Sequence, residues 1–293
     1  MVKFGQVVIG PPGSGKSTYC AGAKQLLNSL GRPTAIVNLD PQVTSFELPY
    51  TPDVDIGELV DSQKVAESME LGPNASLIFA MDYLLANLDW LTGKLDALGD
   101  VYLLYDIPGQ IELFTHHTAL RDIIDTLQRK HAHRLTGVNL IDSTLCADPF
   151  KYVAALLTSL SCQIFIQLPH VNVLSKLDLL RLVSKDLAFK LEFYTSVLSL
   201  DELLSYFKTS SAYRLNERFE RFTSALCELI NDFNLVSFAT LDVQNRDSLM
   251  KLIKLVDRST GYISGPAFDA YDVDADLDLD YCVRDCEDTG DFE

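Results

Sequence analysis

Short, nearly continuous apolar runs alternate along this chain with stretches in which apolar residues recur every three or four positions. The runs Gln6–Ile9, Ala35–Leu39, Val101–Tyr105, Gly137–Ile141, Val171–Leu174 and Val236–Leu241 read as strands. Runs that do not alternate with polar residues suit a parallel sheet covered on both faces. The clearest helical pattern is Leu77–Leu98, with apolar residues at 77, 78, 81, 84, 85, 88, 91, 95 and 98. One face of that helix is therefore apolar. Val54–Met69 and Tyr213–Phe233 are further helical patterns, and Phe219, Phe222 and Phe233 read as core. Strands separated by helices predict an α/β fold, with a doubly wound, mainly parallel sheet flanked by helices.

Two stretches exceed what such a unit needs and read as helical insertions, at about 41–100 and 183–233. The pattern stops near residue 264. One domain over 1–263 and a tail over 264–293 follow. Composition changes the picture mainly through that tail. The 293-residue chain has a formal net charge of −17. Residues 265–293 hold nine Asp, two Glu and one Arg, a net of −10, which leaves −7 for the rest. High charge with little aliphatic content predicts a disordered tail. Its DVDADLDLD run lacks the glycine and the twelfth-position Glu of a calcium loop. The overall charge argues against direct nucleic-acid binding and against an anionic membrane surface. The uncharged apolar stretch Val153–Leu168 is 16 residues and carries Ser, Thr and Gln, short for a bilayer span. The N-terminus carries no signal-peptide pattern. Six scattered cysteines, with only Cys282 and Cys286 close together, read as free thiols in a reducing cytoplasm.

Candidate chemistry begins at residues 10–17, Gly-Pro-Pro-Gly-Ser-Gly-Lys-Ser. A strand precedes this loop and a helical pattern follows it, as in P-loop NTPases. Gly13 and Gly15 let the backbone turn its N–H groups toward phosphate oxygens, with Ser14 and Thr18 alongside. The helix N-terminus adds partial positive charge. Lys16 is placed to reach the β- and γ-phosphates, and Ser17 offers a hydroxyl to Mg²⁺.

Asp106 ends the apolar run VYLLYD and opens Asp-Ile-Pro-Gly-Gln. A carboxylate at the end of a buried strand beside a phosphate loop can hold Mg²⁺, directly or through water. Gln110 stands where a side-chain amide can orient an attacking water. Asp40 ends AIVNL before Pro41; it is either a turn carboxylate or one that reaches the metal through water. Further on, Ser175-Lys176-Leu177-Asp178 follows the fifth strand. Asp178 can accept from guanine N1–H and N2–H₂, whereas adenine presents a bare acceptor there. The stem of Lys176 can lie along the base plane. Ser175 replaces the more familiar Asn. Ala239, read as following the sixth strand, could offer its N–H to guanine O6. The adjacent His116 and His117 point to different helix faces and make a poor metal pair.

The order GPPGSGKS, NLDP, Leu-Gly-Pro-Asn at 71–74, DIPGQIEL and SKLD resembles the GPN-loop GTPase family over about residues 4–262, nearest its eukaryotic second paralogue group. Ile107 departs from the smaller or polar residue frequent in D-x-P-G-Q. The resemblance implies GTP hydrolysis to GDP with Mg²⁺, by a homodimer or a heterodimer with a related member. It implies that Gly72, Pro73 and Asn74 act in trans on the partner's site. It also implies a cytoplasmic protein that shuttles to the nucleus in RNA polymerase assembly. Read from the residues alone, Gly-Pro-Asn is a turn, and Asn74 could cap the next helix. Two other readings of the phosphate loop stay open: a kinase transferring phosphate to a nucleotide or polynucleotide end, and an assembly chaperone gated by nucleotide with negligible hydrolysis.

Overall fold

The computed structural model describes residues 2–42, 48–180, 187–197, 200–209 and 217–263. The acidic tail, with Cys282 and Cys286, lies outside the described residues, as do parts of the second insertion. In chain order the elements are β1 (Lys3–Ile9), α1 (Lys16–Ser29), β2 (Thr34–Asn38), β3 (Val54–Asp55), α2 (Ser62–Met69), α3 (Pro73–Ala86), α4 (Leu88–Ala97), β4 (Tyr102–Asp106), α5 (Ile111–Thr115), α6 (Thr118–His131), β5 (His133–Asp142), α7 (Pro149–Ile166), β6 (His170–Ser175), α8 (Leu177–Leu180), α9 (Leu191–Ser196), α10 (Leu200–Thr209), α11 (Glu217–Phe233), β7 (Phe238–Thr240) and α12 (Arg246–Thr260).

All strand pairs are parallel, in the order β3-β2-β4-β1-β5-β6-β7. Alternate residues of the central strands serve opposite layers. Val7, Val37, Leu103 and Tyr105 pack with Leu77, Leu84, Leu91 and Ile123 from α3, α4 and α6. Val8, Ile36, Tyr102 and Leu104 pack with Tyr19, Leu27, Leu252 and Ile253 from α1 and α12. This two-sided burial is why the strands carry unbroken apolar runs. A third cluster joins β5 and β6 to α7, α9, α10 and α11. α7 is long and apolar enough to cross a bilayer by length and composition. Here it is a core helix, with Tyr152, Leu156, Leu160 and Ile166 buried.

Three sequence expectations change. The pattern from Val54 to Met69 opens with β3, not with helix, because Val54 pairs with Val37 and completes the sheet edge. The stretch Leu77–Leu98 is two helices, and the first starts earlier, at Pro73. Asn87 breaks it at φ −114°, and its side-chain amide donates to Tyr83 O at 2.8 Å. Phe219, Phe222 and Phe233 are exposed at 62%, 59% and 48%, while α11 turns Thr223, Cys227 and Ile230 inward. Cys20, Cys146, Cys162 and Cys227 are buried and in no disulfide.

α12 is locked across the sheet's N-terminal end by a buried bidentate pair, Arg32 Nη1 and Nη2 to Asp257 at 3.0 and 2.7 Å. The Arg32 guanidinium also lies over the Tyr262 ring at 4.1 Å. Arg32→Met strips this cation from a buried carboxylate. It is expected to cost about 3–5 kcal/mol, read from urea unfolding; a loss below about 1 kcal/mol would show the pair to be dispensable.

Candidate active site

Every strand points its C-terminal end to the same edge, where ligands bind in open α/β sheets. β1 lies between β4 and β5, so the loop after Ile9 sits at the change in strand order. Residue 15 is the N-cap of α1 at φ 94°, a left-handed value that suits glycine. Lys16 follows and is only 8% exposed. Its ammonium donates to Pro11 O at 3.2 Å. Burial lowers its pKa, opposed by the nearby Asp106 and Asp40 carboxylates. A Cβ at residue 109 would lie 2.8 Å from Lys16 Nζ and 3.0 Å from Pro12, so glycine alone lets this segment close on the loop.

The register sets Asp106 beside Val8 on one side and Asn38 on the other. Burial raises the Asp106 pKa above the ordinary carboxylate value, against hydrogen bonds from Tyr50 and Ser17 and the charge of Lys16. The Tyr50 hydroxyl donates to Asp106 Oδ2 at 2.7 Å. Burial also raises Asp40, and Asp106 adds to the effect. Asp40 is held in a turn: its Oδ1 accepts from Gln42 N at 3.0 Å, and its N–H donates to Asn38 Oδ1 at 3.1 Å. Its turn role and its place beside Asp106 and Lys16 therefore coexist.

Gln110 and Asn74 meet within the chain: Gln110 Nε2 donates to Asn74 Oδ1 at 2.6 Å. The other amide atom, Gln110 Oε1, is buried with no partner among the described residues, as is Ser14 Oγ. Gly72 is the N-cap of α3 and Pro73 its first residue, so Asn74 is not the cap. The loop is tied further by Gln42 Nε2, which donates to Pro73 O at 2.8 Å. The phosphate loop, Asp40, Asp106, Gln110 and Gly72–Asn74 thus form one connected constellation.

A family model described as "Conserved hypothetical ATP binding protein" matches residues 8–262. "GPN-loop GTPase 2" of Danio rerio is 49% identical over 264 residues, covering 90% of this chain and 83% of that protein. This chain belongs to the GPN-loop GTPase family. "GPN-loop GTPase 2" of Saccharomyces cerevisiae, 39% identical over 265 residues and covering 89% of this chain and 76% of that one, agrees with its place in the second paralogue group. The crystal structure of a GTPase in apo form from Pyrococcus abyssi shares the fold, with TM-score 0.70, 22% identity, and 89% and 98% of the two chains covered.

In this GPN-loop GTPase family member the segment read as the base end, Ser175–Asp178, begins at the end of β6, two strands away from β1. Ser175 donates to Ser14 O at 2.7 Å and lies 3.0 Å from Ile141 O, which ties the phosphate loop to β6. Lys176 follows, and Asp178 is exposed in α8. Ala239 lies inside β7, opposite Val173, rather than in a loop beyond a strand. The sheet continues through it, so the turn on this side starts after Thr240. His116 Nδ1 meets Thr115 Oγ1 at 2.6 Å and His117 Nε2 faces Asp82 at 3.4 Å, so the two rings share no ligand.

Sequence reading missed Tyr50 and Asp142. Tyr50 sits in a stretch with no periodic pattern and left no signal. Asp142 ends β5 as Asp106 ends β4, a carboxylate closing a buried run, and that signal was there to use. Burial would raise the Asp142 pKa, but bonds from Lys176 and Thr144 outweigh it and hold the carboxyl below its ordinary value.

Proposed function

We propose that the protein binds GTP with Mg²⁺ and hydrolyses it to GDP and phosphate, working as a dimer whose nucleotide state governs partner proteins. The observation that carries the reading is the convergence of Lys16, Ser17, Asp106 and Gln110 at the C-terminal ends of β1 and β4. The donor set fits Mg²⁺. Asp106, bonded to the Ser17 hydroxyl, and the nearby Asp40 are both pushed up by burial, and a bound cation would relieve both. Among the described residues no three His, Cys, Asp or Glu side chains form a self-sufficient metal cage. That suits Mg²⁺, which takes one or two carboxylates and fills its shell with phosphate and water. When bound, the ion would neutralise charge on the phosphates.

The chain's own residues do the rest. Lys16 and the loop N–H groups hold the phosphates, while Ser17 and Asp106 hold the metal. Gln110 orients the water through Oε1, and Asp40 holds the turn beside it. Asp178 accepts the two guanine donors, which favours GTP over ATP. This is positioning and electrostatics without a covalent intermediate. Dimerisation, action of Asn74 on a second chain, RNA polymerase complexes as clients and a cytoplasmic protein that enters the nucleus rest on the family resemblance.

Single-turnover hydrolysis of γ-labelled GTP, with and without a related partner chain, tests the reading. Labelled phosphate is expected in water as inorganic phosphate, faster with the partner. Transfer to an added nucleotide acceptor would replace the hydrolase reading with a kinase. No release under either condition would leave a binding switch.

A further inference from the structure

We propose that Asp142 is a positioning residue for base recognition, holding Lys176 as the platform on which a purine lies. The inference rests on the nucleotide reading of the site above, but not on the choice of guanine.

Lys176 is the unusual residue here. It has φ 58°, a left-handed value disfavoured for residues that carry a side chain. Such a conformation persists where its surroundings over-determine it, and such residues cluster at ligand clamps. Lys176 is held at both ends. Its ammonium donates to Asp142 Oδ2 at 2.8 Å, and its carbonyl accepts from Ser143 Oγ at 3.0 Å. Asp142 is fixed in turn, because its other oxygen accepts from Thr144 N at 3.0 Å and Thr144 Oγ1 at 2.7 Å. The sheet sets the two segments side by side, with Asp142 registered against Ser175.

The side chains of Lys176 and Asp142 are 32% and 24% exposed, so the pair is partly covered and keeps an open side. An ion pair this accessible adds little to stability. What it does is fix a flexible four-carbon stem and its charge in one place. The stem then offers an apolar ledge, and the ammonium a charge beside a ring face. Asp178 stands two residues further on, where it can read the edge of a base lying on that ledge. The two carboxylates thus divide the work. Asp178 chooses among bases, and Asp142 raises affinity for any purine by keeping the platform in place.

The test is calorimetric titration of the full chain with GDP, IDP, ADP and inorganic pyrophosphate. The variants are Asp142→Asn, Lys176→Met and the double variant. Asp142→Asn keeps the oxygen that Thr144 binds. Each single variant is expected to weaken GDP and IDP by the same factor, about tenfold, the size of a partly desolvated cation–ring contact. Pyrophosphate, which needs only the Lys16 loop, is expected to bind unchanged, and the double variant to lose no more than the singles. Wild-type affinity for GDP in Asp142→Asn would overturn the inference. An equal loss for pyrophosphate would do so as well, since that is a general defect of the fold. A wild-type preference for ADP over GDP would overturn the guanine reading alone, and the Asp142 effect would then be read on ADP.

Discussion

Lys16→Ala is expected to abolish nucleotide binding, with affinity for GTP and GDP falling at least about 100-fold. The ammonium's surroundings set this effect. It is 8% exposed, it is lowered in pKa by burial, and among the described residues its one direct hydrogen bond is to Pro11 O at 3.2 Å. A charge held this way is poorly repaid in the ligand-free chain. Its compensation comes from Asp106 and Asp40, which burial has raised in turn. Phosphate oxygens in the loop would give it short charge-assisted bonds in a site of low dielectric. Removing a buried ammonium removes its desolvation cost but also takes the cation from Asp106 and Asp40, so the two effects offset and thermal stability without nucleotide is expected to change little. Equilibrium binding of a fluorescent GDP analogue and a melting curve on the same preparation check both halves. Wild-type affinity in a folded variant would remove Lys16 from the site. Lost binding together with an early melt would mean that the lysine is structural.

That site was legible because its parts are contiguous in sequence. A strand, a glycine loop, Lys-Ser and a helix are local, and Asp106 is marked by the apolar run that it closes. What was not legible depends on which surface meets which. The apolar period from 77 to 98 runs through the break at Asn87 because α3 and α4 serve the same core layer, so the period carries no trace of the break. In α11 the apolar arc is wider than the surface the core uses. Periodicity marks the arc, but only packing shows that Thr223, Cys227 and Ile230 lie inside and Phe219 and Phe222 outside. β3 is two residues long and exists through its pairing with β2. Contacts between distant segments, such as Tyr50 on Asp106 and Asn74 on Gln110, have no local sequence signature at all.

The Asn74 contact shapes the second large effect: Gln110→Leu is expected to keep GTP binding and lose hydrolysis, by about 100-fold or more. The amide is arranged with its two ends doing different things. Nε2 is anchored on Asn74 Oδ1 at 2.6 Å, and Oε1 is buried with no donor among the described residues. A buried acceptor without a partner is costly, and a water bound there would relieve it. Leucine has similar bulk but neither donor nor acceptor, so it removes the water's partner and leaves the loop–lysine contacts to phosphate as they were. The stability change is expected to be small, because the Gln110–Asn74 bond lies at the exposed rim. Asn74→Ala removes only the anchor, and its cost in rate should be smaller than that of Gln110→Leu. Binding by fluorescence and single-turnover release of phosphate separate the two steps. An unchanged rate in Gln110→Leu would take Gln110 out of the mechanism. A loss of affinity as large as the loss of rate would make it a binding residue, since only an interaction gained in the transition state lowers rate while leaving the bound state untouched.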